Sequence, residues 1–467
     1  MKLRLYNTLS GRIEELVPGT PPEVTMYVCG LTVYSRGHIG NFRTFVATDL
    51  LRRTLEYNGY RVKEVMNITD VDDRIIRLAS EAGTGLSTFT APHIKAFEED
   101  LATLRMETPE IVPRATEHIP EMVDLISRLI ARGHTYRAEG SVYFRIASFP
   151  EYGRLARLDL SGIQSGAPVD TDKYEKEDAR DFVLWKLKAD EPEWAQWEAP
   201  FGRGRPGWHI ECSAMSMKYL GETFDLHCGG VDLIFPHHEN EIAQSVCGTG
   251  VPFARHWMHV EHLLLESETM SKSKGNTYAI PELLARGHRP EAIRYLLCQG
   301  HYRKTMNFTW EGLQQSAAAL ERLHGFARRL SEVDREGPAG REVIEAGRKA
   351  RGAFEAALED DLNTPEALAA VHGLVTEGNS LLAAGTLTRE GADSLHGHLA
   401  EMDRVFGVLL PSGEDRLSPE EQSLLDERQE ARRKREFGRA DAARAQLESL
   451  GIVLEDTPKG TRWRRKR

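Results

Sequence analysis

The chain of 467 residues lacks any apolar run of the roughly 20 residues that a membrane-spanning helix needs. Its first stretch, "MKLRLYNTLSGR", also lacks the long apolar segment of a signal peptide. Apolar residues make up 40% of the chain and charged residues 28%, which is typical of a globular protein. We therefore expect a cytoplasmic protein that does not associate with membranes.

Cysteine is scarce as well. The five cysteines are odd in number and widely scattered, which is not the pattern of a secreted disulfide framework. We therefore expect reduced thiols. We assign Cys228, Cys247 and Cys298 to the core, which leaves Cys29 and Cys212 as candidate ligands.

Positive charge is in deficit, because the formal net charge is −11. That argues against a general nucleic-acid-binding protein, which carries an excess of Lys and Arg. The deficit is uneven, however. Residues 428–467 contain 13 Lys and Arg against 6 Asp and Glu. A basic end on an acidic body indicates one directed contact with a polyanion, and the alternative is a solvated helix face with a frayed tail.

The order of secondary structure predicts an α/β fold. "VTMYVCGLTVY" and "RVKEVMNI" are typical of buried strands, and between them a stripe of apolar residues at helical spacing predicts a helix. A strand–helix–strand unit of this length implies a parallel sheet, and we assign "FDLHCGG" and "WMHVEHLLL" to the same sheet. The helical stripe consists of Phe45, Val46, Leu50, Leu51 and Leu55.

The rest of the chain predicts an insertion and two helical regions. Residues 117–206 are charged, Trp-rich and punctuated by Pro, which favours an insertion into the α/β domain. After Glu311 the apolar spacing becomes helical, and we predict a bundle and a small C-terminal domain. Thr364 is the predicted cap of one helix, and Ser418 with Glu421 forms a predicted capping box for another.

Two glycine-containing loops suit phosphate binding. "GHIGN" lies where the first strand runs into a helix, where free backbone N–H groups favour an anion. "TMSKSKGN" carries Lys272 and Lys274 on a short segment that can close over a triphosphate. A third segment, "GRGRPG", fits a dinucleotide pattern, but no apolar strand precedes it and Pro206 lies inside it. We interpret it as a flexible edge of the insertion.

A candidate metal site combines residues that are distant in sequence. Zinc takes thiolate, imidazole and carboxylate ligands in tetrahedral sets. Cys29 leaves the first strand, and Cys212 lies near the return from the insertion. On a helix starting near His237, either His237 or His238 shares a face with Glu241. The spacing leaves both histidines open, and the alternative is a set of buried cysteines beside a surface helix.

"NITDVDDR" places polar residues after the second strand, at the edge of a parallel sheet where ligands bind. The alternative is a helix cap formed by Thr69 or Asp70.

In their order along the chain, these segments resemble cysteinyl-tRNA synthetases, a family of class I aminoacyl-tRNA synthetases. The resemblance spans essentially the whole chain and includes "YVCGLTVYSRGHIGN", "NITDVDDRI", "MSKSKGN" and "LGIVLEDTPKGTRWRRK". "HIECSAM" and "PHHENE" are specific to this family. The roles that the resemblance implies are zinc ligation by Cys29, Cys212, His237 and Glu241, catalysis by His38, Asn41 and Lys272, ATP binding by Gly40 and Lys272, and substrate binding by Trp208 and Thr69.

The resemblance implies a cysteine–tRNA ligase that forms cysteinyl adenylate and then charges tRNA. It implies one Zn²⁺ per chain, Mg²⁺ with ATP, and tRNA(Cys), L-cysteine and ATP as partners of a monomer. Asn41 stands where the family usually has His, and Thr269 where it usually has Lys. The implied domains are a Rossmann-like catalytic domain (1–116 and 207–265), a connective insertion (117–206), a signature-loop region (266–315), a helical bundle (316–410) and an anticodon-binding domain (411–467).

Zinc would explain how such an enzyme rejects serine, which differs from cysteine by one atom. An apolar pocket separates such analogues by only about 10–200-fold, whereas a metal binds thiolate far better than hydroxyl. Two rival functions share parts of the pattern. One is a cysteine ligase that acts on an amino sugar by the same adenylate chemistry. The other is an inactive RNA-binding or zinc-structural paralogue.

Overall fold

The structure is a computed structural model, and it describes residues 2–158, 168–169, 181–188, 191–270, 275–411, 418–457 and 460–465. The strands are β1 (Arg4–Asn7), β2 (Arg12–Glu15), β3 (Glu23–Val28), β4 (Arg61–Met66), β5 (Thr135–Ala138), β6 (Ser141–Phe144), β7 (Pro168–Val169), β8 (Asp181–Lys186), β9 (Arg205–Pro206), β10 (Phe224–Gly230), β11 (Ala254–Val260), β12 (Leu263–Leu265), β13 (Glu268–Thr269), β14 (Met306–Phe308), β15 (Ile452–Thr457) and β16 (Gly460–Arg465). The α-helices are α1 (Ile39–Tyr57), α2 (Asp73–Glu81), α3 (Leu86–Thr103), α4 (Ile119–Ala131), α5 (Trp208–Leu220), α6 (Glu239–Thr249), α7 (Ile280–Ala285), α8 (Pro290–Cys298), α9 (Trp310–Ser331), α10 (Arg341–Glu359), α11 (Thr364–Ala383), α12 (Arg389–Phe406), α13 (Pro419–Arg433) and α14 (Phe437–Ser449).

A parallel sheet in the order β11, β10, β3, β4 forms the centre of the α/β region. The helix α1 connects β3 to β4, which confirms the predicted strand–helix–strand unit. The predicted apolar stripe of α1 is buried, and none of its members exceeds 3% exposure. Because the strands are parallel, their carboxyl ends lie at one edge of the sheet.

The strand prediction after β11 is only partly right. β11 ends at Val260, and Leu263–Leu265 pairs instead with β13 and β14 in a separate three-stranded sheet. Backbone hydrogen bonds give the reason. The Glu261 N–H donates to the Tyr302 carbonyl and the Met306 N–H donates to the His262 carbonyl, which turns the chain towards β14.

The insertion contributes a second sheet, in which β6 lies between β5 and β8, and β8 also pairs with β7 and β9. The interpretation of "GRGRPG" as a flexible edge is wrong. Gly204 exchanges two backbone hydrogen bonds with Trp197, and Arg205 and Pro206 pair with β8. Arg205 is 1% exposed, because its guanidinium pairs with Asp73 and Glu191.

The helices α9 to α12 form a bundle that shares one apolar core with α1. A buried ion pair also connects the bundle to α1. The Arg294 guanidinium of α8 lies 2.5 Å from the Asp49 carboxylate of α1 and donates to the Phe406 carbonyl at the end of α12.

The predicted cap of α11 is wrong. Asn363 caps this helix by accepting a hydrogen bond from the Glu366 N–H, and Thr364 is the first helical residue.

The C-terminal helices α13 and α14 and the hairpin β15–β16 enclose a small core of their own around Leu425, Leu447 and Ile452. The predicted capping box is present, because Ser418 and Glu421 exchange hydrogen bonds at the start of α13. Among the described residues, no helix is both long enough and apolar enough to cross a membrane.

Candidate metal and active site

The segments that follow β3 and β10, together with two helices, bring the predicted metal ligands together. Cys29 follows β3, and its N–H donates to the Cys228 carbonyl of β10. A short 3-10 turn, Val231–Leu233, follows β10, and the turn Ile234–His238, kinked at the extended backbone of Phe235, leads into α6, which carries Glu241. Cys212 enters from α5. The predicted helix therefore starts later than His237, at Glu239, but the turn before it keeps both histidines beside Glu241.

The four predicted ligands offer one donor atom each within 4.8 Å of one another, and all four are buried. The two sulfur atoms of Cys29 and Cys212 are 3.9 Å apart, and His237 Nε2 is 3.1 Å from Glu241 Oε1. In a tetrahedral zinc site, two thiolates are about 3.8 Å apart, and a nitrogen and an oxygen ligand are about 3.3 Å apart. These donors fit a zinc ion in both chemistry and spacing.

A second group of donors overlaps the first. Cys29, His227, His238 and Glu241 also lie within 4.8 Å of one another. His238 Nε2 is 3.3 Å from Cys29 Sγ, and His227 Nε2 is 3.0 Å from Glu241 Oε2. The choice between His237 and His238 therefore stays a prediction. His227 was missed by the sequence argument, because a His inside an apolar strand carries no signal for a ligand.

The charges of the cluster favour a cation. Burial alone would raise the pKa of the Cys212 thiol, but the hydrogen bond from Cys29 and the neighbouring His237 lower it to about 6. Burial opposes ionisation of Glu241 too, yet His227 and His237 lower its pKa to about 2. Burial raises the pKa of Cys29 well above its usual range. Burial would lower the pKa of His237, but Glu241 and Cys212 raise it to about 10. The first group thus contains two acidic donors, a second thiol and an imidazole that would give up its proton when it binds a metal ion.

A layer of hydrogen bonds orients the histidines. His237 Nδ1 pairs with His209 Nδ1 at 3.0 Å, and the Trp208 ring lies against the His237 ring with centroids 4.1 Å apart. His238 Nδ1 pairs with His259 Nε2 at 2.7 Å. Partners of this kind set the tautomer and the direction of a metal-binding imidazole.

The other polar residues of "HHENE" hold the insertion. The buried Glu239 carboxylate accepts from the Gly153 and Ala156 N–H groups at 2.7 and 2.8 Å. Asn240 accepts from the Tyr152 hydroxyl. Their role is therefore to fix a turn of the insertion against α6.

The first signature forms the start of α1. The His38 side chain accepts from the Gly40 N–H at 3.1 Å, and the Asn41 side chain accepts from the His38 N–H at 3.0 Å. A Cβ atom on Gly40 would lie 2.9 Å from the His38 ring and 3.1 Å from Met270, so only glycine fits here without displacement. The contact with Met270 places the start of the second signature beside the first. Lys272 and Lys274 lie outside the described residues.

"NITDVDDR" follows β4 and reaches the same edge of the sheet. Thr69 is 2% exposed and exchanges backbone hydrogen bonds with Leu31 and Val33. The prediction that Thr69 or Asp70 caps the next helix is wrong, because the Asp72 side chain accepts from the Ile75 N–H and caps α2. Asp70 instead accepts from Thr116.

Glu211, one residue before Cys212, lies beside the candidate site, and the sequence argument did not single it out. It is 1% exposed, and among the described residues its Oε2 has no hydrogen-bond partner. Burial raises the pKa of Glu211 well above its usual range, the neighbouring Cys212 and Asp70 add to the effect, and a hydrogen bond with Thr69 opposes it. A glutamate on a half-apolar helix is usually a surface residue, so its position could not be read from the pattern.

Comparison with known proteins first establishes the class of enzyme to which the chain belongs. Residues 15–318 match the class I (C) tRNA synthetase catalytic domain, residues 353–410 the DALR domain, and residues 414–464 the cysteinyl-tRNA ligase anticodon-binding domain. The fold is similar to methionyl-tRNA synthetase from Mycobacterium tuberculosis in complex with methionyl-adenylate (TM-score 0.61, 15% identity, 83% of this chain and 90% of that one). It is also similar to a LeuRS–tRNA–LeuAMS complex from Agrobacterium radiobacter (TM-score 0.60, 12% identity, 84% of this chain and 85% of that one). The protein is a class I aminoacyl-tRNA synthetase by fold, and hence a ligase.

Full-length relatives then identify the family. The cysteine–tRNA ligase of Solibacter usitatus is 50% identical over 470 residues, and that of Leptospira interrogans is 45% identical over 474 residues; each alignment covers all of both chains. The chain belongs to the cysteine–tRNA ligase family.

Proposed function

We propose that this chain ligates L-cysteine to tRNA(Cys). In the first step the cysteine carboxylate attacks the α-phosphorus of ATP, which gives cysteinyl adenylate and releases pyrophosphate. In the second step a ribose hydroxyl at the 3′ end of the tRNA attacks the adenylate carbonyl and displaces AMP. The observation that carries the proposal is the buried cluster of two thiols, imidazole and carboxylate at the ligand-binding edge of the sheet.

Cys29, Cys212, His237 and Glu241 would hold the zinc ion. When bound, zinc would supply a Lewis-acidic position that takes the substrate sulfur as thiolate and takes a serine hydroxyl poorly. The low pKa of Cys212 and Glu241 prepares two of the four donors for such an ion. Trp208, half-buried over the His237 ring, would close one side of the amino-acid pocket, and Thr69 would bind the backbone end of the amino acid.

The start of α1 would bind the phosphates. The side chains of His38 and Asn41 lie at this helix start, which faces the segment that leads into the second signature. The Ile39, Gly40 and Asn41 N–H groups already have acceptors, so the attraction for phosphate would come from these side chains and from the positive end of the helix dipole. Lys272 and a Mg²⁺ ion would add positive charge where the pentavalent phosphorus develops negative charge. Because His38 and Asn41 also form the capping box, their orientation is set before ATP arrives.

The C-terminal region would read the anticodon, and the domain limits proposed from the sequence stand as the working division of the chain. The basic end, residues 428–467, has two aromatic residues that could stack on a base, Phe437 and Trp463. Trp463 is the poorer candidate, because it lies half-buried against the small C-terminal core. Phe437, the first residue of α14, is 64% exposed and is the better platform. We further propose that the chain acts as a monomer in the cytoplasm.

Charging of tRNA is the experiment that tests the proposal against an amino-sugar ligase. Both enzymes would catalyse cysteine-dependent ATP–pyrophosphate exchange, but only the proposed enzyme would attach cysteine to tRNA(Cys). The match of residues 414–464 to an anticodon-binding domain supports tRNA. We expect charging with cysteine and none with serine. Exchange without charging would contradict the proposal, and the absence of both would favour an inactive paralogue.

A further inference from the structure

A cavity at the carboxyl edge of the sheet has no role in the two proposed steps. Its volume is about 320 Å³, and Val231, which follows β10, and His259, near the end of β11, both line it. His259 Nε2 is 2.7 Å from His238 Nδ1, so the cavity lies beside the candidate metal site. Sites for small ligands have volumes of about 300–1,000 Å³, so this cavity, which we call the strand-end cavity, has room for one nucleoside-sized group.

Three parts of the chain bring an aromatic ring and two guanidinium groups to the wall of the strand-end cavity. Tyr6 comes from β1, and its hydroxyl accepts a hydrogen bond from the exposed Arg157 of the insertion at 3.1 Å. The guanidinium carbon of Arg303, which precedes β14, lies 4.5 Å from the centre of the Tyr6 ring. An aromatic ring next to arginine side chains is how proteins bind the unpaired bases and the phosphates of single-stranded nucleic acids.

A second cavity continues the first towards the helical bundle. Its volume is about 360 Å³, and Arg303 lines both cavities. Lys304 and Asn363, the cap of α11, belong to its wall. Arg303 pairs with the buried Asp361, but within the described part of the chain neither Arg157 nor Lys304 has an acidic partner. The two cavities, which we call the Arg303 groove, therefore carry a cation without a counter-charge in each half.

The carboxylates of the groove restrict what it can bind. Glu261 lines the strand-end cavity, and Asp360 lines the second one. They disfavour a small anion such as pyrophosphate, but a carboxylate accepts a hydrogen bond from the exocyclic amino group of cytosine or adenine. The unpaired 3′ end of a tRNA has the sequence CCA, so each of its three bases has such an amino group. The groove thus offers cations for phosphates and acceptors for these bases.

We propose that the Arg303 groove binds the unpaired 3′ end of the tRNA, with the terminal adenosine in the strand-end cavity against Tyr6 and Arg157. The preceding phosphates lie along Arg303 and Lys304. A terminal nucleotide in this position is next to the metal site that takes the cysteine, where its ribose hydroxyl has to attack the adenylate. The inference rests on the proposed function, because it assumes tRNA as the acceptor, and it concerns the transfer step only.

The test compares intact tRNA(Cys) with tRNA(Cys) that lacks the terminal adenosine. Both are titrated into the full chain, and transfer from preformed cysteinyl adenylate is measured in a single turnover. In Arg157→Gln and in Tyr6→Leu, we expect binding of intact tRNA to weaken about fivefold or more, and binding of the shortened tRNA to change by less than about twofold. The transfer rate should fall with the affinity, and cysteine-dependent ATP–pyrophosphate exchange should not change. Tyr6→Phe keeps the ring and should retain most of the preference for intact tRNA.

Arg154→Gln is the matched control. Arg154 is an exposed arginine three residues before Arg157, it pairs with Glu151, and it lines neither cavity of the groove. This substitution should alter the binding of neither tRNA. If Tyr6→Leu also slows exchange, the ring supports the fold, and the exposed Arg157→Gln then decides.

Three results would overturn the role of the groove. They are equal weakening of both tRNAs in Arg157→Gln, an unchanged preference of that variant for intact tRNA, and a raised KM for ATP in its exchange reaction, which would assign the strand-end cavity to ATP. A wild-type chain that binds both tRNAs equally would also overturn it. A wild-type chain that charges no tRNA would instead contradict the proposed function.

Discussion

Replacing His237 and His238 separately by Asn distinguishes the two overlapping donor groups. Structural zinc sites with four ligands bind with an apparent free energy of about 10–16 kcal/mol, or roughly 3 kcal/mol per ligand. Loss of a true ligand should therefore lower zinc affinity by about 100-fold or more. A residue that only supports the site should lower it by about 10-fold. We expect the large effect for His237→Asn, because His237 belongs to the donor group with two thiols.

The expected effect of His238→Asn is the smaller one. His238 pairs with His259 through Nδ1, and its Nε2 lies 3.9 Å from Glu241 Oε1, against 3.1 Å for His237. Competition with a chromophoric chelator measures both affinities. His256→Asn serves as control, since His256 is buried on β11 and belongs to neither donor group. A larger loss in His238→Asn than in His237→Asn would refute the assignment and select the group that contains His227.

Three further predictions concern stability and tRNA. Asp49→Asn leaves the fully buried Arg294 without its charge partner and should lower the free energy of unfolding by about 3–5 kcal/mol in urea, whereas Glu81→Gln in an exposed pair should change it by less than about 0.5 kcal/mol. Burial raises the pKa of Glu64 from its usual 4.5 to about 8, against the opposing effect of the Arg52 guanidinium, so the folded chain keeps this proton longer than the unfolded chain and loses stability as pH rises between those values. Glu64→Gln should flatten that loss in urea unfolding at a series of pH values, and an unchanged pH profile would contradict it. Phe437→Ala should weaken tRNA charging by about tenfold or more and leave cysteine-dependent exchange intact, and equal losses in both would disprove a role in base stacking.

Local pattern was enough to predict the sheet and the first helix. The apolar residues of α1 recur at helical spacing, and the neighbouring strands are rich in apolar residues. Both patterns are typical of buried elements, and the structure buries them. The strand prediction failed where pairing with a segment remote in sequence determines which sheet a strand joins. Leu263–Leu265 looks like a continuation of β11, but pairing with β14, which is remote in sequence, turns it away. The caps of α11 and α2 are Asn363 and Asp72, which lie one to three residues from the predicted caps. Several polar residues precede each helix and any of them can cap it, so the sequence does not show at which one the backbone turns into the helix.

The candidate site was predicted in outline from the order of its segments. Cys29, Cys212 and Glu241 are separated in sequence, and no known ligand spacing connects them. The resemblance to a family predicted that they form one ligand set, and the fold brings their donor atoms together. The sequence argument missed His227 because it lies within an apolar strand. It missed Glu211 because a buried carboxyl group, one of whose oxygens has no hydrogen-bond partner among the described residues, cannot be recognised from the pattern. Such residues reveal their role only when the neighbouring elements are placed around them.

X-ray absorption at the zinc edge tests the central claim most directly, because it counts the sulfur atoms bound to the metal. The proposed site holds two cysteine thiolates. We predict two sulfur ligands in the zinc-loaded chain alone and three after addition of L-cysteine, with no change after addition of L-serine. A sulfur count that stays at two with L-cysteine bound would contradict the claim that the metal selects the substrate by its thiolate.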